Sequence, residues 1–197
     1  MAENIYQIQI ALKDIRPKIW RRILIPSELF LSDFHKIIQT VMGWENYHLH
    51  QFVKNRYFYS VKLPDADDLW DDSFDIDYNK NKTRVSDLLQ QEKEKIIYEY
   101  DFGDGWEHDV ILEKVLPYDK KIKSPFCLAG KMSCPPEDCG GAWGYMNMVK
   151  ILKNPDHKEY ESYIDWLGGD FDPEYFDKEE INEILDTENF GCLEFLK

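Results

Sequence analysis

The chain has 197 residues, 43% of them hydrophobic and 15% aromatic, and a formal net charge of −14. That composition can pack a core, which excludes global disorder, and the apolar runs are too short to cross a bilayer. An acidic surface repels phosphates, which excludes broad electrostatic binding of bulk nucleic acid.

Tyr6, Ile8, Ile10 and Leu12 alternate with polar or small residues, the period of a strand. IRPKIWRRILIP continues it, with Ile19, Ile23 and Ile25 sharing a face with Arg21, and Pro26 closing the strand. Lys13, Arg16, Lys18, Arg21 and Arg22 make this the most basic segment, expected as a solvated strand face with ion pairs. SDFHKIIQTVMGW predicts a helix capped by Ser32 or Asp33, with a stripe of Phe34, Ile37, Ile38, Val41 and Met42 and a stop at Gly43. HLHQFVKNRYFYSV predicts two short strands around Lys54 and Asn55.

Residues 65–77 hold seven aspartates. A calcium loop of the EF-hand type needs Gly at its sixth position and Glu at its twelfth. Counting from Asp71 those positions are Ile76 and Lys82; from Asp75 they are Lys80 and Ser86. Neither register fits, and a solvated loop is expected.

VSDLLQQEKE predicts a short helix, followed by strands at 95–102 and 106–115. Residues 117–141, rich in Pro, Gly, Lys and Cys, are expected as a long ordered loop. Helices follow at 143–153 and 157–167, and Asp177 with Glu180 predicts a capping box before the last one. The expectation is a single α+β domain over residues 1–197: an antiparallel sheet of hairpins in a strand-rich part to 116, with helices packed on it and a helical C-terminal part.

The stretch YDFGDGWEHDVIL, residues 100–112, groups Asp101, Asp104, Glu107, His108 and Asp109 around two glycines. Read as a hairpin with the three-residue loop Gly103-Asp104-Gly105, it sets Phe102 beside Trp106 and Tyr100 beside His108 on one apolar face. The other face then opposes Asp101 to Glu107 and Glu99 to Asp109, like charges that cost roughly 0.2–1 kcal/mol when solvated. Water, a basic partner such as Arg21 or Arg22, or a hard divalent cation would each relieve that patch. His108 is expected as a hydrogen-bonded core residue, or as a general base if a cleft reaches it.

His48 and His50 form an HxH pair, expected to pack with Phe52 or, given a third ligand, to hold a metal. Cys127, Cys134 and Cys139 lack the tight CxxC knuckle of structural zinc, so buried thiols are the plainer expectation. With Cys192 they are four cysteines, expected reduced in a cytoplasmic protein. The N-terminus shows no basic segment followed by an apolar one, so no secretory signal is expected. In CPPEDCGGAWGY, residues 134–145, Glu137 and Asp138 precede a helix and are explained as favouring its dipole.

RPKIWRRI, HLHQF, YDFGDGWEHDV, PFCLAGKMSCPPEDCGGAWGY and DPEYFD, in that order, resemble the plasmid pRiA4b ORF-3-like family. The match runs from about Ile5 to Leu185. The resemblance implies one α+β domain and, through members described as passengers of insertion elements, an association with mobile elements; it brings no activity and no catalytic residues. Two functions follow as expectations. The first is a cytoplasmic binding or accessory module, with a protein or small-ligand partner, no membrane and motif residues that shape a groove. The alternative is a metal-dependent hydrolase acting on phosphoesters. Its catalytic candidates are His108, Asp104, Glu137 and Asp138, its metal candidates Asp101, Asp104, His48, His50 and His108, and a divalent cation its cofactor. The discriminating observation is spatial: whether YDFGDGWEH and PPEDCGG meet on one concave surface.

Overall fold

The computed structural model describes residues 4–61 and 74–194. Alternating apolar residues give β1 (Asn4–Leu12) and β2 (Trp20–Pro26), paired antiparallel with Ile8 opposite Ile23. Helix α1 (Leu31–Met42) follows, then β3 (His50–Lys54), β4 (Tyr57–Ser60), the short β5 (Asp75–Asp77) and α2 (Val85–Leu88). β6 (Lys95–Tyr100) and β7 (Trp106–Pro117) form the central hairpin. β8 (Phe126–Lys131) precedes the C-terminal helices α3 (Gly141–Leu152), α4 (Tyr160–Leu167) and α5 (Lys178–Leu185).

All eight strands join one sheet in the order β5-β4-β3-β6-β7-β1-β2-β8, antiparallel except where β5 pairs parallel with β4. The fold is α+β. α1 lays the predicted stripe of Phe34, Ile37, Ile38 and Val41 against Ile8, Ile10, Ile23 and Ile25 of the sheet. Burial of such side chains contributes about 1.5–3 kcal/mol each. α1 also buries Gln39 and His35. Both are satisfied by the Tyr98 hydroxyl of β6, at 2.9 Å from Gln39 Nε2 and 2.8 Å from His35 Nδ1.

Several local expectations are corrected. Neither Ser32 nor Asp33 caps α1; Phe30 holds the N-cap position, and only the left-handed stop at Gly43 stands as read. The 117–141 loop contains β8, which escapes a period-two reading because its sequence FCLAGK buries only Cys127 fully and carries no alternating apolar pattern; the Asn182 side chain of α5 caps its outer edge. Cys127 N donates to Asn182 Oδ1 at 2.7 Å, and Asn182 Nδ2 donates to Cys127 O at 3.0 Å, which covers an edge strand. The capping residue Asp177 accepts from Glu179 N and Glu180 N, as expected. Residues 62–73, with five of the seven aspartates, lie outside the described residues; Asp75 and Asp77 belong to β5. The basic segment is not one solvated face. Arg21 is 4% exposed and donates to the carbonyls of Val41, Trp20 and Lys131, while Arg22 pairs with Glu113 and Lys13 with Glu107. Among the described residues no helix is long and apolar enough to cross a membrane.

Candidate functional site

The β6–β7 connection is two residues longer than the sequence predicts. The last ladder pair is Tyr100 with Trp106, preceded by Glu99 with Glu107 and Tyr98 with His108. The turn therefore spans residues 101–105, not 103–105. Asp101 takes a left-handed φ of 54° and leaves the strand there. Its Oδ1 accepts from Gly103 N at 2.9 Å and Asp104 N at 3.3 Å, and its carbonyl accepts from Gly105 N at 2.6 Å. An aspartate that caps its own turn tolerates this conformation better than most residues. A slip of two residues preserves side-chain parity, so Tyr98, Tyr100, Trp106 and His108 stay on the apolar face as read. Phe102 does not: it is 54% exposed.

The turn also inverts the role of Asp101, which is 6% exposed rather than part of an outer acidic face. On that face Glu99 opposes Glu107. Gln51 bonds Glu99 and Lys13 pairs with Glu107, while Lys95 lies 3.0 Å from Asp109. Neutral and lysine partners, not Arg21 or Arg22, relieve the patch.

The two motif loops meet. Asp104 Oδ2 accepts from Gly140 N at 3.0 Å, and the Tyr100 hydroxyl donates to Glu137 Oε1 at 2.9 Å. Gly141 fits the junction because it has no side chain: a Cβ there would stand 2.4 Å from the Asp104 carbonyl oxygen, at a φ of 67°. Glu137 Oε1 also accepts from Glu45 N at 2.7 Å, tying in the segment between α1 and β3. Glu137 and Asp138 therefore do not cap α3, whose N-cap is Gly140 without a side-chain bond.

His48, in that same segment, completes the cluster. Its Nε2 lies 3.4 Å from Asp138 Oδ1, 3.7 Å from Asp101 Oδ2 and 3.7 Å from Glu137 Oε2. One donor atom from each of His48, Asp101 and Asp138 fits within 4.8 Å of the other two. These separations are too long for hydrogen bonds. His48 Nε2 and Glu137 Oε2 are both buried atoms without a hydrogen-bond partner. Burial, and secondarily Asp138, push the Glu137 carboxyl above its ordinary range, against the bonds from Glu45 and Tyr100. Among the described residues no Lys or Arg pairs with Asp101, Asp104, Glu137 or Asp138. His48 also borders a cavity of about 400 Å³ that His35, Asn46, His50 and Tyr78 help to line.

The other candidates fall elsewhere. His50 does not share a metal cluster with His48. It stacks on His35 with ring centroids 3.4 Å apart, bonds the Tyr78 hydroxyl at 2.7 Å and meets Phe52 edge-on, the expected aromatic packing. His108 is fully buried between Tyr98 and Trp44, with Nδ1 3.2 Å from the Tyr98 carbonyl, a core histidine that no cleft reaches. Asp104 is a fastener between loops and lies outside the His48 group. The cysteines are free thiols, none of them in that group. The sequence reading missed the Tyr100 hydroxyl and the Glu45 backbone N–H, which position Glu137; only the place of Tyr100 at the head of the motif hinted at the first.

The profile of the plasmid pRiA4b ORF-3-like protein family matches residues 4–180, and the chain belongs to that family. It is 31% identical over 187 residues to Uncharacterized protein y4hQ of Sinorhizobium fredii, covering 94% of this chain and 93% of that protein. It is 38% identical to a protein of unknown function, MM3350, from Methanosarcina mazei Go1, whose crystal structure superposes with a TM-score of 0.79 over 91% of this chain and 98% of the other.

Proposed function

We propose that this member of the plasmid pRiA4b ORF-3-like family is a cytoplasmic, single-domain binding module that holds a divalent cation between its two motif loops. The observation that carries the reading is His48 Nε2, a buried and unpartnered atom, facing three carboxylate oxygens at 3.4–3.7 Å. Ligands about 2.0–2.1 Å from one tetrahedral metal stand about 3.3–3.4 Å apart, close to these separations. A cation would also offset the uncompensated carboxylate charge, which is costly where burial is deep. One imidazole with two or three carboxylates suits Zn²⁺ or Mn²⁺ better than Ca²⁺, which prefers six to eight oxygens. The bound ion would present a docking point for an anionic group of a small ligand or protein partner. The single-domain reading draws support from the unbroken sheet, and the cytoplasmic one from the four free thiols.

The test is metal content. Protein purified without chelator is analysed for bound metal; after EDTA treatment it is titrated with Zn²⁺, Mn²⁺ and Mg²⁺ by calorimetry and thermal melting. The expected result is one equivalent bound with a saturable rise in Tm, both lost in His48→Ala and Asp101→Asn. A parent protein whose melt and heat signal ignore all three ions would overturn the reading. A second reading, metal-dependent phosphoester hydrolysis, gains one observation from the convergence of YDFGDGWEH with PPEDCGG through Asp104 and Gly140. Turnover of a nitrophenyl phosphate series by the metal-loaded parent, absent in His48→Ala, would select it; a loaded protein that hydrolyses none of the series stands as the binding module.

A further inference from the structure

In the basic segment that joins β1 to β2, Arg16 and Lys18 are exposed and have no carboxylate partner among the described residues. Lys13 and Arg22 have carboxylate partners and Arg21 is spent on carbonyls, but Arg16 stands exposed beside a second cavity, of about 410 Å³. The buried Ile15, Met132 and Tyr145 form its apolar floor, and Met146 and Val149 of α3 its wall. Lys150 and Lys153, at the C-terminal end of α3, join Arg16 among the lining residues, against one acidic side chain, Glu174. Three cations against one anion is an excess of two positive charges, in a chain whose net charge is −14. Among the described residues none of the three cations has a carboxylate partner, although the chain holds 38 acidic residues.

We propose that this cavity is a binding site for a small aliphatic amphiphile with a carboxylate head, of the fatty-acid class. The volume falls in the range of small-ligand pockets, about 300–1,000 Å³. A floor and wall of Ile, Val and two methionines adapts to a flexible chain, since thioether side chains repack at little cost. The guanidinium of Arg16 offers a planar fork that matches a carboxylate, and the lysines add point charges. The carbonyl end of α3 favours positive charge at Lys150 and Lys153. The site is separate from the His48 cluster and does not depend on a metal there.

The experiment is calorimetric titration with octanoate, 1-octanol and acetate, all in EDTA so that the cation site plays no part. Octanoate is expected to bind at one equivalent and to raise Tm, at least about tenfold more tightly than either octanol or acetate. The double variant Lys150→Gln, Lys153→Gln alters only exposed side chains without placing negative charge at the carbonyl end of α3; it is expected to stay close to the parent's melting curve and lose about tenfold in octanoate affinity. Arg16→Gln provides a second, independent loss if the double variant folds poorly. Equal binding of octanoate and acetate would reduce the site to surface ion pairing, and equal binding of octanol to plain apolar contact. Either result, variants that bind like the parent, or the absence of saturable octanoate binding overturns the proposal.

Discussion

The Tyr100 hydroxyl donates to Glu137 Oε1 across 2.9 Å and accepts from Tyr47 N at 3.1 Å. One phenol thus joins the end of β6, the segment before β3 and the PPEDCGG loop. Burial, and then the neighbouring Glu137 carboxylate, push that phenol well above its ordinary pKa, so it remains a donor at any physiological pH. Tyr100→Phe keeps the ring tilted against Trp44, with centroids 5.4 Å apart, but deletes both bonds. It should cost about 1–3 kcal/mol, because the part-buried Tyr47 N–H loses its acceptor and Glu137 Oε1 keeps only the bond from Glu45 N. It should also weaken cation binding, since Glu137 loses a positioning contact. Urea denaturation and a Zn²⁺ titration measure the two effects, and a variant with parental values in both would contradict this role.

Asp101 and Asp104 lie three residues apart and are assigned different work. Asp101 points Oδ2 toward His48, whereas Asp104 points Oδ2 at the Gly140 N–H. Asp104→Asn retains an oxygen acceptor and should change stability by less than about 1 kcal/mol, with ion-dependent stabilisation intact. Asp101→Asn retains the turn bonds through one oxygen but removes the charge that faces His48, and should abolish the ion-dependent rise in Tm. Melts of both variants with and without Mn²⁺ decide the assignment; the reverse pattern would make Asp104 the ligand.

The sheet and α1 were legible because their evidence is local: alternation of apolar residues for β1 and β2, and a 3.6-residue stripe ending at Gly43 for α1. The candidate site was only half legible. Its residue types stand in two unusual stretches, and the sequence names Asp101, His48, Glu137 and Asp138 among the candidates. What it cannot give is which of them meet, because His48 and Asp138 are brought together by a sheet order that runs β3-β6-β7 and by a loop 90 residues downstream. The hairpin error has a similar source. Pairing rules reward a short Gly-Asp-Gly loop, but Asp101 can cap its own turn, and its left-handed backbone ends the ladder before Phe102. β8 is not legible because FCLAGK, with one fully buried residue, lacks the alternation that marks β1 and β2.

Trp106 and Phe102 separate the two hairpin registers in a single comparison. The indole of Trp106 is buried against Trp44, with ring centroids 5.5 Å apart. Trp106→Ala should cost about 3–5 kcal/mol, the range for emptying an aromatic core site. Phe102→Ala, at an exposed turn position, should stay within about 0.5 kcal/mol. Chemical denaturation of the pair measures the difference, and a large loss at Phe102 would restore the three-residue turn.

His108 makes folding stability depend on pH with a definite sign. The rings of Tyr98 and Trp44 enclose it, and burial lowers its pKa to about 4, against backbone bonds at Tyr98 and Trp106 that pull upward. In the unfolded chain an imidazole titrates near 6.5. Between those two values the unfolded chain takes up a proton that the folded chain refuses, so stability is full above about pH 6.5 and falls as pH drops toward about 4. At pH 5 the loss from this one group is about 2 kcal/mol relative to pH 7.5. His108→Gln removes the titration while leaving a polar side chain of similar reach. The variant should be less stable than the parent at pH 7.5, because the ring packing is lost, yet its stability should fall by about 2 kcal/mol less on acidification to pH 5. Urea denaturation of both proteins at the two pH values gives the four free energies required. Equal pH dependence in parent and variant would mean that His108 accepts its proton in the folded state, through an opening of the Trp44–Tyr98 enclosure that its complete burial argues against.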